Sequence, residues 1–421
     1  MTRKKIYYDK IVGTLKKIIK GTKYEGHVFT VGGCERDRIL GNPIKDVDIV
    51  IDLPNGGIEF ANWLKDNNYT NGSVVVYEHY GTAMFRLSEI PDDIIEAVQT
   101  RRECYRNMES RNPETAFGTI MEDCSRRDFT INAIYRNVST GEVLDLTYCG
   151  QNDLSVGLIR TCGEPDIIFN EDPLRILRAI RFKCRLNFNI DEETYNGMVK
   201  NVDRLSIISR ERITDEFSKM IQSTHAKDAI TSIIEIGGIK HVIPCDLSED
   251  EIIKRLCHND SLSSIDHVSS SLAVRLSRVF VEFGLDKTEE ILKNMKYSND
   301  IIKDVLWYKK HNNIDLIKTM PGLRKLLYEC GDINHFINVL GVYEFYGINK
   351  YKTYSLALRN IGNTMFNYKL PLNGNDIMEV LNIPGGPIIK KIMNDLMNIA
   401  FINPDITKDD CIKYVKEHYS N

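Results

Sequence analysis

Two adjoining stretches decide how this chain folds: Val31-Gly32-Gly33-Cys34-Glu35-Arg36-Asp37-Arg38-Ile39-Leu40-Gly41 and Lys45-Asp46-Val47-Asp48-Ile49-Val50-Ile51-Asp52. The first reads as the end of a strand, a glycine pair and the start of a helix. Two glycines let the backbone come close to an anion, and the first helical amides present it with the positive end of their dipole. Arg36 can add a charge-assisted contact. Taken alone, this is an ordinary strand-to-helix turn. The second stretch changes its weight. Side chains two apart on a strand share a face, so Asp46 and Asp48 stand side by side. Neighbouring carboxylates repel unless a cation neutralises them, which favours a hard divalent metal with oxygen ligands. An Asp-x-Asp with no anion cradle upstream would read instead as a solvated strand face.

Working outward, His27 to Val31 and Asp46 to Asp52 are short strands, with a helix after Gly32-Gly33 and another over Ile58 to Asp66. Ser73 to Tyr77, Thr82 to Leu87 and Asp93 to Gln99 are three more β-rich runs separated by turn residues, predicting an antiparallel extension of the sheet. Residues 1–150 therefore form a mixed α/β unit. From Glu171 onward apolar residues recur at helical spacing, as in Ile176, Leu177, Ile180 and Phe182, then Ile213, Phe217, Met220 and Ile221. The remainder is predicted to be almost wholly helical, broken at Gly237-Gly238, Pro321-Gly322 and Pro384-Gly385-Gly386-Pro387. The fold class is α+β, and no fixed-period repeat interrupts it.

Composition sets the outer bounds. A chain of 421 residues exceeds one compact core and should divide into several units. Hydrophobic residues at 42% and charged residues at 27% fit a soluble globular protein. A formal charge of −4 excludes polyanion binding through bulk basicity, though a local basic surface remains open. The ten cysteines include no C-x-x-C pair, so reduced thiols in a cytoplasmic protein are expected. No apolar run approaches the ~18 residues of a membrane span, and the N-terminus lacks the apolar stretch of a signal peptide.

Three further segments carry candidate chemistry. Glu96 sits in the apolar strand Ile94 to Gln99, where an unpaired carboxylate is costly, so it is a third candidate metal ligand; a solvent-facing strand residue is the alternative. Ser125-Arg126-Arg127-Asp128-Phe129-Thr130-Ile131-Asn132-Ala133 gathers polar groups before a helix read over Asn170 to Phe182. On that helix Asp172 and Arg175 are neighbours at i, i+3, able to pair with each other. They also match base chemistry. Cytosine and adenine present an exocyclic amine beside a ring acceptor, which a carboxylate next to a guanidinium complements, whereas uracil and guanine present the reverse. Each mismatched contact would cost roughly 1–3 kcal/mol.

These residues resemble the class II tRNA nucleotidyltransferases, the CCA-adding enzymes, in the superfamily that includes bacterial poly(A) polymerases. The resemblance runs in order through Gly32-Gly33-x-x-Arg36-Asp37, Asp46-x-Asp48, the Glu96 strand, Arg101-x-Glu103-x-Tyr105, Arg126 to Ala133, Glu171-Asp172-x-x-Arg175 and Ile208-Ser209-x-Glu211-Arg212, with weaker likeness at Leu372 to Asp376 and Pro384-Gly385-x-Pro387. It implies a nucleotidyltransferase head at 1–150, a neck for base recognition at 151–222, a helical body at 223–340 and a tRNA-binding tail at 341–421. It also implies that Gly32, Gly33 and Arg36 hold the triphosphate, that Asp46 and Asp48 bind Mg2+ with Glu96 assisting, and that Arg127, Asp128 and Asn132 contact phosphate and ribose. Asp172 and Arg175 would read the base, with Arg178 and Arg181 as further nucleotide-binding arginines.

The implied activity is template-independent addition of CCA to a tRNA 3′ end from CTP and ATP. In that scheme two magnesium ions lower the pKa of the RNA 3′-hydroxyl and neutralise departing pyrophosphate, leaving no need for a protein base. Poly(A) polymerase or a partial CC- or A-adding enzyme shares these motifs, and a catalytically inactive RNA-binding protein is the reading of another class. One departure stands out: Glu35 occupies a position usually apolar in the family. No His-Asp pair with accompanying histidines suggests an appended phosphohydrolase; His258-Asn259-Asp260 reads as a surface turn. Lys350-Tyr351-Lys352 with Tyr343, Tyr346 and Tyr354 suits either RNA or helix packing, and Arg101 to Arg111 either a loop at the site or a polar connection.

Overall fold

A computed structural model of the chain describes residues 3–78, 81–104, 114–268, 271–311, 317–344, 349–361 and 364–420. Two compact units divide it, Met1–Pro244 and Cys245–Asn421.

The first unit begins with α1 (Arg3–Ile19), β1 (Val28–Val31), α2 (Gly33–Ile39), β2 (Val47–Ile51) and α3 (Gly56–Asp66). There follow β3 (Val75–Tyr77), β4 (Thr82–Leu87), β5 (Ile90–Gln99), β6 (Arg101–Cys104), β7 (Glu114–Phe117), α4 (Ile120–Ser125), β8 (Ile134–Asn137) and β9 (Val143–Asp145). Among the described residues, seven of these strands form one sheet in the order β3-β4-β5-β2-β1-β8-β9. The β2–β5 pair is parallel and its neighbours antiparallel, so the predicted mixed sheet with an antiparallel extension is present. Strand alternation sorts side chains between two faces. Ile49, Ile51, Ile95 and Ala97 meet Ile11 and Leu15 of α1 and Phe60 and Leu64 of α3 in the larger core. Val50, on the other face, joins Phe29, Val31, Cys124, Ala133 and Tyr135. Asp48 and Glu96 fall on this second, less covered face. Asp46 lies one residue before β2 and is exposed.

Helices then take over: α5 (Gly150–Val156), a short parallel pair of β10 (Leu158–Ile159) and β11 (Asn189–Ile190), α6 (Pro165–Glu171), α7 (Leu174–Leu186), α8 (Glu192–Asn201), α9 (Arg210–Ile221) and α10 (Ala226–Glu235). The single helix read over Asn170 to Phe182 is in fact two. Asp172 is extended, at φ −139° and ψ 96°, because Pro173 disfavours helical backbone at the residue before it. α7 packs against α9 and α10, and Ile176, Ile180, Phe217, Met220 and Ile233 of these helices are all buried.

The second unit is helical throughout its described residues, from Glu249–Leu256 to Lys408–Tyr419. Pro321 and Pro387 sit at the starts of helices Met320–Cys330 and Pro387–Ile402, where a missing amide hydrogen costs nothing. Leu372, Ile377, Ile392, Leu396 and Val415 build a separate core over the C-terminal helices. Among the described residues no helix is long and apolar enough to cross a membrane. His258 opens a 3-10 segment and faces Glu282 at 3.3 Å. Tyr346 and residues 105–113 lie outside the described residues, as do the side chains of Asn259, Asp260, Tyr343, Tyr351 and Tyr354.

The seating of α3 on the sheet depends on Gly57. A β-carbon there would come within 2.6 Å of the Gly81 carbonyl, 2.7 Å of the Ala97 carbonyl and 2.9 Å of Val98 Cα, all backbone. Gly57→Ala should therefore destabilise the head by about 1–3 kcal/mol, read as a lower urea midpoint; an unchanged midpoint would refute the close contact.

Candidate active site

The parallel pairing of β2 with β5 sets Asp48 opposite Glu96, just as Val50 stands opposite Val98. Burial, the Glu96 carboxylate and Asp46 push the Asp48 carboxyl up to about 6, while Arg127 pulls the other way. Beside Glu96 a cavity of about 350 Å³ is lined by Tyr77, Thr82, Met84, Val98, Arg101 and Arg126. Among the described residues no group of three His, Cys, Asp or Glu side chains is already gathered around one point. Asp48 and Glu96 on adjacent strands, with Asp46 at the strand entrance, nevertheless fit a divalent cation. Such ions often take one or two protein carboxylates and complete their shell with substrate phosphates and water. A bound cation would relieve the repulsion that raises Asp48.

The glycine loop stands over this pair. Gly32 has φ +79° and ψ −137°, a conformation open to glycine and strained for an L-residue. A β-carbon placed there would lie 3.8 Å from both Asp48 Oδ2 and an Arg127 guanidinium nitrogen, which locates loop, carboxylate and guanidinium in one spot. Arg127 is held by a residue the sequence reading passed over. Asp123, fully buried, accepts from Arg127 Nε at 3.1 Å and Nη2 at 3.0 Å, from Arg126 Nη2 at 2.5 Å and from the Tyr135 hydroxyl at 2.7 Å. Burial works against ionisation of Asp123, but Arg127 and Arg126 outweigh it and hold the carboxyl well below its usual range.

A second chain of contacts links α2 to α7. Arg36 donates to Asn132 Oδ1 at 2.7 Å and to Asp37 at 2.9 Å; Asn132 donates to Asp128 at 3.1 Å; Arg178 Nε donates to the other Asp128 oxygen at 2.9 Å. Asp128 is kept down at about 2: burial opposes the charge, and Arg178 more than compensates. Arg181 donates to the buried Glu216 of α9 at 2.5 Å. The guanidiniums of Arg36, Arg178 and Arg181 surround the ring of Phe182 at 5.1, 5.6 and 4.3 Å. Each such contact adds about 0.5–1 kcal/mol. Phe182 entered the sequence reading only as a core residue of helical period, since neither period nor spacing reveals what surrounds a ring.

Asp172 and Arg175 do not pair with each other. Asp172 Oδ2 accepts from Arg212 at 2.8 Å. Arg175 is buried and donates to Glu171 at 3.1 Å, to the Ile168 carbonyl at 3.2 Å and to the Arg126 carbonyl at 2.7 Å. Arg212 stands in the sequence only as part of the resembling motif, and its partner 40 residues away leaves no mark in local spacing.

The raised Asp48 carboxyl makes stability depend on pH. Its folded value of about 6 lies above the ordinary carboxylate value near 4, so the ionised form costs stability. That cost is absent below pH ~4 and complete above pH ~6. In chelator-treated protein Asp48→Asn should raise the unfolding free energy at pH 7.5 by on the order of 1–2 kcal/mol, read as a higher urea midpoint, and lose that advantage toward pH 4. A gain independent of pH would contradict the assignment.

Comparison with known proteins follows the same outline. Residues 28–160 match the poly A polymerase head domain, and 187–245 match the probable RNA and SrmB-binding site of polymerase A. The tRNA nucleotidyltransferase cca1 of Schizosaccharomyces pombe is 29% identical over 97% of this chain and 95% of its own length. A CCA-adding enzyme of Oceanobacillus iheyensis is 32% identical over 72% of this chain and 74% of its own length. Among solved structures, the Bacillus stearothermophilus CCA-adding enzyme in complex with CTP superposes with a TM-score of 0.77 at 22% identity, covering 99% of this chain and 98% of that one. With a mixed-sheet head, a helical remainder and relatives of this length and identity, the chain belongs to the CCA-adding enzymes of the tRNA nucleotidyltransferase and poly(A) polymerase family.

Proposed function

We propose that this protein adds CCA to the 3′ end of tRNA from CTP and ATP, without a nucleic-acid template. The observation that carries the reading is the Asp48–Glu96 pair under Gly32 and Arg127, in a chain of this family. Poly(A) synthesis is less favoured because near-full-length relatives are named tRNA nucleotidyltransferase or CCA-adding enzyme. An inactive RNA-binding protein is disfavoured because the repelling carboxylates have no physical use without a cation to hold.

In the mechanism we infer, Asp46 and Asp48 would hold Mg2+, with Glu96 assisting. Bound there, the metal supplies Lewis-acid activation of the RNA 3′-hydroxyl and charge compensation for the leaving pyrophosphate. The chain's own part is positioning. Gly32 and Gly33 admit the triphosphate to the backbone, and Arg36 and Arg127 meet its charge. Asp123 keeps the Arg127 fork aimed, at the expense of none of its Nη1 hydrogens. Asp128 and Asn132 order Arg178 and Arg36 and would face phosphate and ribose. Asp172 would accept the exocyclic amine of cytosine or adenine and Arg175 would donate to the ring acceptor, after Arg212 yields Asp172 to the base. Arg178 and Arg181 would complete the nucleotide wall. Because protein and not template reads the base, one site serves CTP and then ATP as the RNA end repositions.

The finer division into head 1–150, neck 151–222, body 223–340 and tail 341–421, with tRNA held by the tail, is part of the proposal. So is a cytoplasmic location, supported by the free state of every cysteine whose side chain is described.

Three tRNA substrates test the function: one lacking the whole CCA end, one lacking its last two nucleotides and one lacking the final A, each given CTP, ATP or both. Restoration of CCA on all three is expected. A long A-tail, or extension of one substrate alone, would reassign the protein. Asp48→Ala should abolish incorporation and leave tRNA binding within about twofold; retained catalysis would reject the metal role. For base choice, exchanging Asp172 and Arg175 would also break the three contacts that hold Arg175, so Asp172→Asn is the cleaner variant. It should weaken preference for CTP and ATP over UTP and GTP by roughly tenfold in competition. Unchanged preference would remove Asp172 from base reading.

A further inference from the structure

Glu35, a carboxylate where the resemblance implies an apolar residue, has a defined set of partners in the structure. Its side chain is fully buried in α2, two residues beyond Gly33. One carboxylate oxygen accepts from the Tyr8 hydroxyl and, at 2.5 Å, from the Thr30 hydroxyl; the other accepts from Arg38 Nε at 2.8 Å. Tyr8 and Thr30 are themselves 3.1 Å apart and buried. Burial first, and Glu35 second, push the Tyr8 phenol well above its ordinary range, so it stays a donor. Thr30 registers with Ile49, which places this cluster on the α1 face of the sheet, behind Asp48. Three elements thus converge on one carboxylate: β1 through Thr30, the adjoining α2 through Glu35 and Arg38, and, from 27 residues upstream, α1 through Tyr8.

A buried carboxylate is costly unless its lone pairs are satisfied, and here three donors satisfy them. An apolar side chain at this position would only fill space. The carboxylate instead ties down the first turn of α2, which Gly32 precedes beside Asp48 and Arg127 and whose Arg36 donates to Asn132. We infer that Glu35 is a positioning residue for nucleotide binding: through Tyr8 and Thr30 it ties the glycine loop to α1 and β1 and so sets the loop's aim at the triphosphate. The inference rests on the reading that this loop holds the nucleotide.

The test compares Glu35→Val, Glu35→Gln, Tyr8→Phe and the double variant Glu35→Val with Tyr8→Phe, each in the full chain, by CTP titration in chelator and by steady-state addition to tRNA lacking CCA. Glu35→Val should raise KM for CTP about tenfold with kcat within about twofold. Glu35→Gln keeps the acceptor for Tyr8 and Thr30 and should restore KM to within about threefold of the parent. The double variant, which leaves no phenol hydroxyl stranded, should recover part of the loss. If Glu35→Val does not fold, Tyr8→Phe carries the test alone, with an expected threefold to fivefold rise in KM, roughly one lost hydrogen bond. Parent KM values in Tyr8→Phe or in a folded Glu35→Val would overturn the proposal, as would a loss confined to kcat or an equal loss in the Gln and Val variants. A parent that fails to bind CTP would instead remove the reading beneath it, a result distinguishable because the variants then have nothing to change.

Discussion

Two like charges on neighbouring strands are the constraint to which the rest of the head answers. The parallel register of β2 and β5 leaves Asp48 and Glu96 no choice but to face each other on one side of the sheet. Burial and this repulsion together raise Asp48 to about 6. A fold built for stability alone would place apolar residues at both positions, as it does at the next matched pair, Val50 and Val98. Arg127 offsets part of that repulsion, and a divalent cation is what we propose offsets the rest.

Around that pair the protein spends carboxylates to aim guanidiniums. Asp123 holds Arg126 and Arg127, Asp128 holds Arg178, and Glu216 holds Arg181. Each acid lies buried behind its arginine, so the charge is oriented by hydrogen bonds of fixed geometry and not left to rotate in solvent. Phe182 adds a ring on which three guanidiniums converge from two helices. The result is a set of preorganised guanidiniums, which would need little further reorganisation to meet the anionic substrate we propose.

Local signals made much of this legible. The glycine pair, the Asp-x-Asp and the alternating apolar residues of Asp46 to Asp52 are patterns of period two and of single-residue backbone chemistry, so they survive without knowledge of the fold. Helical period likewise exposed the long C-terminal series. The helix break at Asp172 was available in Pro173 but was outvoted by the strong period on either side. The partners of the site residues were not available in this way: Asp123 precedes Arg127 by four residues in a stretch that looks merely polar, and Glu216 meets Arg181 only because α7 packs on α9.

What the sequence determined by itself was which chemical groups exist and which lie on a common local face, since turns, strand alternation and helical period are properties of neighbouring residues. The tertiary structure alone decided which of those groups touch. It turned Glu35 from an anomaly into a satisfied buried carboxylate, gave Asp172 to Arg212 in place of Arg175, and brought Gly32 to Asp48 and Arg127. The physical reason is that charge and hydrogen-bond satisfaction are settled across distances in space, by packing of elements far apart in the chain.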